Sequence, residues 1–148
     1  MTTSKKAINL IKQFEGVRLT AYQDGGGVWT IGYGHTGNVD GVPIKKGMTI
    51  TEEKAEELLK SDLARFEKHV LSFNKKYNWT QNEFDALVSF AFNLGSINQL
   101  TGNSTRTKVE ISKKMWEYSN MRIGGKLTWI KGLHTRRLKE TLLFLNAL

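Results

Sequence analysis

Two carboxylates, Glu15 and Asp24, lie at the ends of a short segment and have the residue types and spacing that acid-base chemistry requires. Glu15 follows Ile11 by four residues and Ile8 by seven, so a continuous helix would place its carboxyl on the apolar side, at the helix C-terminus. Burial and the negative end of the helix dipole both favour a protonated carboxyl. We therefore expect Glu15 to act as a general acid.

Asp24 has the opposite expected environment, because it precedes three glycines. A glycine turn exposes backbone N–H groups and water, which keep a carboxylate ionised. Two carboxyls in contrasting environments are typical of glycosidic bond cleavage. A solvated helix-end glutamate and a turn-forming aspartate also occur together by chance, so this pair does not decide the function by itself.

The segment around the two acids resembles the active-site segment of a known family. Eight residues separate Glu15 from Asp24, five separate Asp24 from Thr30, and IGYGHT follows directly. This arrangement resembles that of the phage lysozymes, the endolysins of glycoside hydrolase family 24. Three further blocks are similar to later blocks of the family: TEEKAEELLKSDL at 51–63, NEFDALVSFAFNLG at 82–95 and KGLHTRRLKETLLF at 131–144. The likeness is loosest over 99–130.

The resemblance implies a reaction and a catalytic set. The reaction is hydrolysis of the β-1,4 bond between N-acetylmuramic acid and N-acetylglucosamine in peptidoglycan. Glu15 would be the general acid, and Asp24 with Thr30 would position the attacking water. Such a single displacement inverts the anomeric carbon and needs carboxyls roughly 6.5–9.5 Å apart, against roughly 5–5.5 Å for a retaining enzyme. Two carboxyls and a water suffice, so no metal or organic cofactor is expected.

The resemblance also implies substrate contacts at Asn93, Phe92 and Thr36. An amide that both donates and accepts hydrogen bonds suits the N-acetyl and hydroxyl groups of a sugar. A helix C-cap is the alternative role of Asn93. Sugars also stack on tryptophan rings, but tryptophans are more often core residues, and we place none of three in the site: Trp79, Trp116 and Trp129.

Three further residues are expected to support the site. His35 is interpreted as structural rather than as a proton shuttle, and the resemblance makes Asp62 its partner in an ion pair between the two lobes. The resemblance also places Arg136 near Glu15, where a positive charge would oppose the effect of burial on that carboxyl. Arg137 is equally compatible with a solvated basic helix end.

The residues must be held by a mixture of helices and a small hairpin. Apolar spacing and caps predict the helices, whereas β-branched and aromatic residues broken by glycines predict strands. A Gly-Gly break stands at 124–125. The expected elements are a helix over 3–15, strands over 18–23 and 28–34, helices after Thr51 and Thr80, helical signal from Val109 to Met121, and a last helix from Thr135 to Leu145.

These elements predict an α+β, lysozyme-like fold in a single domain, 1–148. A small β-hairpin lobe would cover about 15–50, and a larger all-helical lobe would cover about 51–148 together with the N-terminal helix over 3–14. The helix after Thr51 would join the lobes, with a cleft between them.

Composition limits the remaining classes of function. The chain has 148 residues and no cysteine, so disulfides and thiolate chemistry are excluded. Its net charge is +8, and 10 basic against 3 acidic residues fall within 101–148. The basic C-terminal third suits anionic outer-membrane or wall polymers, or else serves solubility alone. No nucleic-acid-binding motif accompanies the charge, so we expect no nucleic-acid partner, and we expect a monomer.

The start of the sequence lacks the apolar run of a signal peptide, and no later stretch has membrane-spanning length. The prediction is synthesis in the host cytoplasm without a membrane anchor. Access to the wall would then depend on another protein, a holin, opening the membrane.

Two other functions remain open at this stage. A lytic transglycosylase would use the acid and close the muramyl sugar on itself, but it needs no water-positioning residues such as Asp24 and Thr30. A wall-binding module with the same fold would be expected to have lost one of the two acids, and both are present.

Overall fold

The computed structural model describes residues 1–148 and has the α+β composition that the sequence predicts, with helices and two small antiparallel hairpins. Its contacts divide the chain into two compact units: unit A comprises 8–64, and unit B comprises 1–7 with 65–148. The elements are α1 (Lys5–Glu15), β1 (Arg18–Gln23), β2 (Trp29–Gly32), α2 (Glu52–Leu71), α3 (Asn74–Tyr77), α4 (Gln81–Leu94), α5 (Asn98–Thr101), α6 (Lys108–Met115), β3 (Asn120–Ile123), β4 (Lys126–Trp129) and α7 (Lys131–Phe144).

Unit A contains the first hairpin, in which β1 and β2 run antiparallel. Residues 48–50 line the other edge of β1, because Ala21 N donates to Met48 O and Ile50 N donates to Leu19 O, both at 2.9 Å. The register shifts between Arg18 and Tyr22, which marks a bulge. The pairing of β1, the strand that leads into Asp24, with β2 is therefore irregular.

The core of unit A lies beneath this hairpin. Four buried side chains form it, namely Ile31, Val39, Ile44 and Leu58, and partly buried apolar residues such as Trp29 and Ile50 pack around them. Burial of each large aliphatic side chain stabilises the fold by about 1.5–3 kcal/mol. This cluster fixes β2, and with it Thr30, against the part of α2 that belongs to unit A.

Unit B is organised around α4, whose residues 84–91 are all buried. Thr80 accepts a hydrogen bond from Glu83 N at 3.2 Å while the Glu83 carboxylate accepts from Thr80 N at 2.9 Å, which is a capping box. The helix ends at Gly95, as the sequence predicts. It packs against α7, which carries the two arginines.

The region after Val109 differs from the prediction. The predicted helix to Met121 ends at Met115, and 120–129 form a second antiparallel hairpin instead, so the C-terminal part of the chain is not all-helical. The Gly-Gly break is the turn of this hairpin: Gly124 and Gly125 have φ of 58° and 79°, the left-handed conformation that a two-residue turn requires.

The other helix boundaries agree to within a few residues. The last helix begins at Lys131 rather than at Thr135. The two short helices, α3 and α5, were not predicted, because four residues are too few to show an apolar period. None of the helices has the length and apolar character needed to cross a membrane.

Candidate active site

Glu15 is the last residue of α1, and the chain leaves the helix through Gly16, whose φ is +70°. Ala7, Ile8 and Ile11 are buried on the helix face that the sequence predicts. Glu15 itself is exposed, so the prediction of a desolvated carboxyl is wrong. The period of apolar residues predicts the face of α1 on which Glu15 lies. It does not predict how far along the helix that face stays buried, and Glu15 lies beyond the buried part.

Asp24 begins the turn between β1 and β2, and its carboxylate holds that turn together. Oδ1 accepts from Gly26 N at 2.8 Å and from Val28 N at 2.9 Å. The backbone closes the same turn, since Asp24 N donates to Val28 O at 2.9 Å. Oδ2 accepts no hydrogen bond from the protein, and the residue is exposed as predicted. One carboxylate oxygen is therefore fixed by the turn and the other faces solvent.

Thr30 lies on β2, where it is paired with Tyr22 of β1. Its residue is 4% exposed, and its hydroxyl donates to Val28 O at 3.0 Å. Val28 thus links the two side chains, because its N–H binds Asp24 and its carbonyl binds Thr30. The hairpin brings Asp24 and Thr30 to one turn and holds both in defined positions.

His35 is paired with Asp62, as the resemblance implies. Its Nδ1 lies 2.8 Å from Asp62 Oδ2, and its Nε2 lies 3.0 Å from the carbonyl oxygen of Asn38. Both ring nitrogens are engaged, which agrees with a structural histidine. Both residues belong to unit A, and the prediction that the pair joins two lobes stays a prediction. The pair ties the loop after β2 to α2 inside that unit.

Arg136 and Arg137 are buried in unit B around Glu140, which has no exposed surface. Arg136 Nε donates to Glu140 Oε2 at 3.1 Å and its Nη2 donates to Ser89 O at 2.9 Å. Arg137 Nε lies 2.8 Å from Glu140 Oε1, at ion-pair distance but without the alignment of a hydrogen bond. The alternative of a solvated helix end is therefore wrong for Arg137, which is 0% exposed.

The electrostatics of this cluster are dominated by burial. Burial raises the pKa of Glu140, and the two guanidinium groups oppose that shift. Burial likewise lowers the pKa of Arg137, while the carboxylate of Glu140 raises it. Ser89 Oγ also donates to Glu140 Oε2. With two cations and a hydroxyl directed at it, we take the carboxyl to be ionised.

Asn93 is half-buried near the end of α4, and its amide is oriented by the cluster. Arg137 Nη2 donates to Asn93 Oδ1 at 2.8 Å, so the amide oxygen is taken and the NH2 group is left to donate. Asn93 is not the C-cap of the helix, since Gly95 holds that position. Phe92 is also half-buried, with its ring edge against Phe66 at 5.7 Å between centroids.

The catalytic and substrate-binding roles predicted for the site residues stay predictions. Thr36 is exposed in unit A, directly after His35. Arg136 belongs to unit B and Glu15 to unit A, so their proximity stays a prediction. A cleft between lobes stays a prediction for the same reason.

The three tryptophans outside the site have different environments. Trp79 is a core residue at 3% exposure, and its indole N–H donates to Val70 O at 3.0 Å. Trp116 and Trp129 are 42% and 54% exposed, so the expectation of core positions is wrong for both. Each indole packs against the ring of His134.

Sequence reasoning missed the residues that hold Asn93 and the arginines in place. Glu140 follows Arg136 by four residues and Arg137 by three, the spacing of helix ion pairs, which was the available signal. Ser89 gave no such signal, because a serine within an apolar helix pattern has no distinctive partner.

A groove of about 600 Å³ lies in unit A, between 39–42, 48–51 and the start of α2, and it includes none of the three predicted catalytic residues.

Comparison with known proteins shows the family to which the chain belongs. The phage lysozyme family model matches residues 12–140. An endolysin of Acyrthosiphon pisum secondary endosymbiont phage 1 is 37% identical over 153 residues, which cover 99% of this chain and 100% of that protein. Among solved structures, an endolysin from Escherichia coli O157:H7 phage FAHEc1 is 38% identical with a TM-score of 0.81, covering 100% of this chain and 96% of the other.

A third relative is the muramidase domain of SpmX from Asticaccaulis excentricus, which is 35% identical with a TM-score of 0.82 and covers 97% of both chains. The fold and these matches define a lysozyme-like enzyme of the glycoside hydrolase class. The chain belongs to the phage lysozyme family.

Proposed function

We propose that this protein is an endolysin that hydrolyses the β-1,4 bond between N-acetylmuramic acid and N-acetylglucosamine in peptidoglycan. The turn at Asp24 is the observation that carries the proposal. It fixes one carboxylate oxygen through two backbone N–H groups and leaves the other open to solvent, beside Thr30. A solved relative that is named as a muramidase domain supports this choice of bond.

Asp24 and Thr30 position the water that attacks the anomeric carbon. Asp24 Oδ2 accepts a proton from that water, and the preformed turn keeps the carboxylate from rotating away. Positioning of this kind lowers the barrier because the orientation is set before the substrate binds. The route is a single displacement, with inversion at the anomeric carbon and water on the sugar face opposite the acid.

Glu15 protonates the oxygen of the leaving sugar. Glu15 is exposed in the free protein, so bound glycan covers it and excludes water from it.

Asn93 contributes to substrate binding. Arg137 holds the amide oxygen, so the NH2 group donates to an N-acetyl carbonyl or a sugar hydroxyl. Phe92 and Thr36 complete the proposed sugar contacts. Arg136, anchored by Ser89 and Glu140, supports Glu15 electrostatically in this proposal.

The test is analysis of the muropeptides released from purified peptidoglycan by the wild type and by Glu15→Gln. Mass spectrometry identifies the ends, and anomer-resolved NMR identifies the first anomer formed. The proposal expects reducing N-acetylmuramic ends, formed as the α-anomer, with the wild type only. Glu53→Gln is the matched control, since Glu53 is another exposed glutamate of unit A, and its activity should equal that of the wild type.

Each alternative has its own result in this experiment. A 1,6-anhydro end would assign the protein to the lytic transglycosylases. Formation of the β-anomer first would show that the reaction retains the configuration of the anomeric carbon and is not a single displacement. No product from the wild type would leave a wall-binding module as the better account, and full activity of Glu15→Gln would remove Glu15 from the mechanism.

We also propose that the enzyme is made in the host cytoplasm and reaches the wall after a holin opens the membrane. The likeness to phage endolysins supports this order of events. Expression of this protein alone should leave cells intact until the membrane is permeabilised. Lysis without any such treatment would contradict the dependence on a holin.

A further inference from the structure

The second hairpin carries large apolar side chains that are largely exposed. Four of them are at least half exposed: Met121 at 50%, Ile123 at 54%, Leu127 at 60% and Trp129 at 54%. In this register Arg122 faces Leu127 and Ile123 faces Lys126, so apolar side chains project from both faces. Patches of exposed apolar residues mark interaction sites in soluble proteins.

The base of the hairpin is anchored, in contrast to its tip. Ile130 N donates to Ser119 O at 2.9 Å and closes the two strands. The ring of His134 packs against both Trp116 and Trp129, at 4.7 Å and 5.3 Å between centroids. An isolated two-stranded hairpin is only marginally stable in water, so this base is what holds the tip in place.

The hairpin is also strongly basic. Residues 118–139 contain no acidic side chain, and Arg122, Lys126 and Lys131 are all exposed. Arg122 Nη1 donates to Gly125 O at 3.0 Å, which keeps its guanidinium beside the turn. Cations are thus interleaved with the apolar side chains of the tip.

We propose that the tip of this hairpin, Met121 to Leu127, docks on a membrane surface that contains anionic phospholipid. Exposed aliphatic side chains partition into the boundary between head groups and acyl chains, and flanking cations bind the phosphates. The inference is independent of the proposed muramidase activity.

The same observations argue against a glycan as the occupant. Sugars pack on flat aromatic faces, and both exposed indoles, Trp116 and Trp129, lie outside the tip. The side chains that remain uncovered at the tip are aliphatic. The strand edges carry unpaired backbone groups, which are costly in the hydrocarbon core, so the hairpin lies at the interface and does not cross it.

The test is binding of the full-length protein to vesicles of phosphatidylglycerol with phosphatidylethanolamine, compared with phosphatidylcholine vesicles, by sedimentation. One variant combines Arg122→Glu with Lys126→Glu. Its matched control combines Lys45→Glu with Lys46→Glu, two exposed lysines of unit A. Each pair changes the charge by −4, so both proteins fall from +8 to +4. A third variant, Ile123→Ser with Leu127→Ser, removes apolar surface at constant charge.

We expect the wild type to bind the anionic vesicles, the hairpin charge variant to bind at least about tenfold more weakly, and the control to change by less than about threefold. The serine variant should also lose binding, because attraction by charge alone does not need aliphatic side chains. Brominated lipids should quench tryptophan fluorescence in the wild type and not in the serine variant.

Three results would overturn the proposal. Equal losses in the two charge variants would show a general effect of net charge. Unchanged binding by the serine variant would show that the tip does not enter the interface. Binding to purified peptidoglycan, rather than to vesicles, that depends on the hairpin would make a glycan its partner. Circular dichroism of each variant identifies any loss of folding, and vesicle binding is then repeated with Ile123→Thr and Leu127→Thr, which retain strand propensity.

Discussion

At the scale of single residues, Asp24 has two roles that belong to its two oxygens. Oδ1 closes the β1–β2 turn by accepting from Gly26 N and Val28 N, and Oδ2 is the atom that we assign to catalysis. The division matters for experiments, because most substitutions at this position would disturb both roles at once. Asparagine separates them, since it keeps an oxygen for the turn and removes the charge.

Asp24→Asn should therefore lose hydrolysis while keeping the fold. We expect the rate of glycan cleavage to fall by about 10²-fold or more, because general-base assistance is removed, with little change in Tm. The measurement is turbidity loss of purified cell walls together with thermal unfolding. Asp40→Asn, another exposed aspartate of unit A, should keep full activity. Substantial activity in Asp24→Asn would show that the carboxylate is not the base.

Glu140 is the residue whose loss should cost the most stability. Glu140→Gln leaves Arg136 and Arg137 buried beside a neutral amide, and removing one partner of a buried ion pair costs about 3–5 kcal/mol. Urea unfolding measures this change. Glu117→Gln removes an exposed carboxylate 3.3 Å from Lys114 and should cost about 1 kcal/mol at most. Equal stability of the two variants would mean that Glu140 is not the anion of the cluster.

At the scale of elements, a helix or strand was predicted correctly where the residues that determine it lie close together in the sequence. The start and end of α4 were predicted because Thr80, Glu83 and Gly95 determine them within a few residues of chain. The hairpin at 120–129 was missed because its strands are only four residues long, and the alternation of polar and apolar residues in NMRI and KLTW is too short to distinguish a strand from other structure.

The end of α2 is tied to the chain beyond α4 by His69, which sequence reasoning did not select. His69 Nε2 accepts from Ile97 N at 3.0 Å, and burial lowers the pKa of this histidine. A protonated ring cannot accept this hydrogen bond. Because the folded state binds the proton less readily than the unfolded state, stability is complete above the ordinary pKa of 6.5 and falls as pH drops below it.

His69→Gln should remove this part of the pH dependence, since its amide oxygen accepts the same hydrogen bond without titrating. We expect the free energy of unfolding of the wild type to decrease more steeply than that of the variant between about pH 6.5 and pH 5. Urea unfolding at several pH values measures the free energy of unfolding of both proteins. Carboxylates contribute equally to the two proteins, so their contribution cancels in the difference. Parallel curves would assign the acid sensitivity to other groups, and His134→Gln serves as the comparison.

At the scale of the whole molecule, charge is the property that the sequence states most directly. The net charge of +8 is concentrated in the last third of the chain, although Arg136 and Arg137 are buried and do not face solvent. The exposed cations of the hairpin and of α6 remain available to anionic polymers. Long-range attraction of this kind acts through water and is screened by salt.

Binding to intact peptidoglycan should accordingly weaken as ionic strength rises. We use Glu15→Gln because we expect it to prevent digestion, and the bound fraction should fall between about 50 mM and 500 mM salt as the Debye length shortens. Co-sedimentation with purified sacculi measures it. Binding of short, neutral N-acetylglucosamine oligomers should change little over the same range. Salt-independent binding of sacculi would show that contacts in the site alone determine affinity.

The sequence by itself determined the family, the capped helices, the first hairpin and the turn at Asp24, because each depends on residues that are close along the chain. Tertiary structure alone decided which side chains are buried. It left Glu15 exposed at the end of an otherwise buried helix face, and it enclosed Glu140 with Ser89, a residue 51 positions away. Burial depends on what distant segments cover, and hydrophobic period records only the side of an element that a residue occupies.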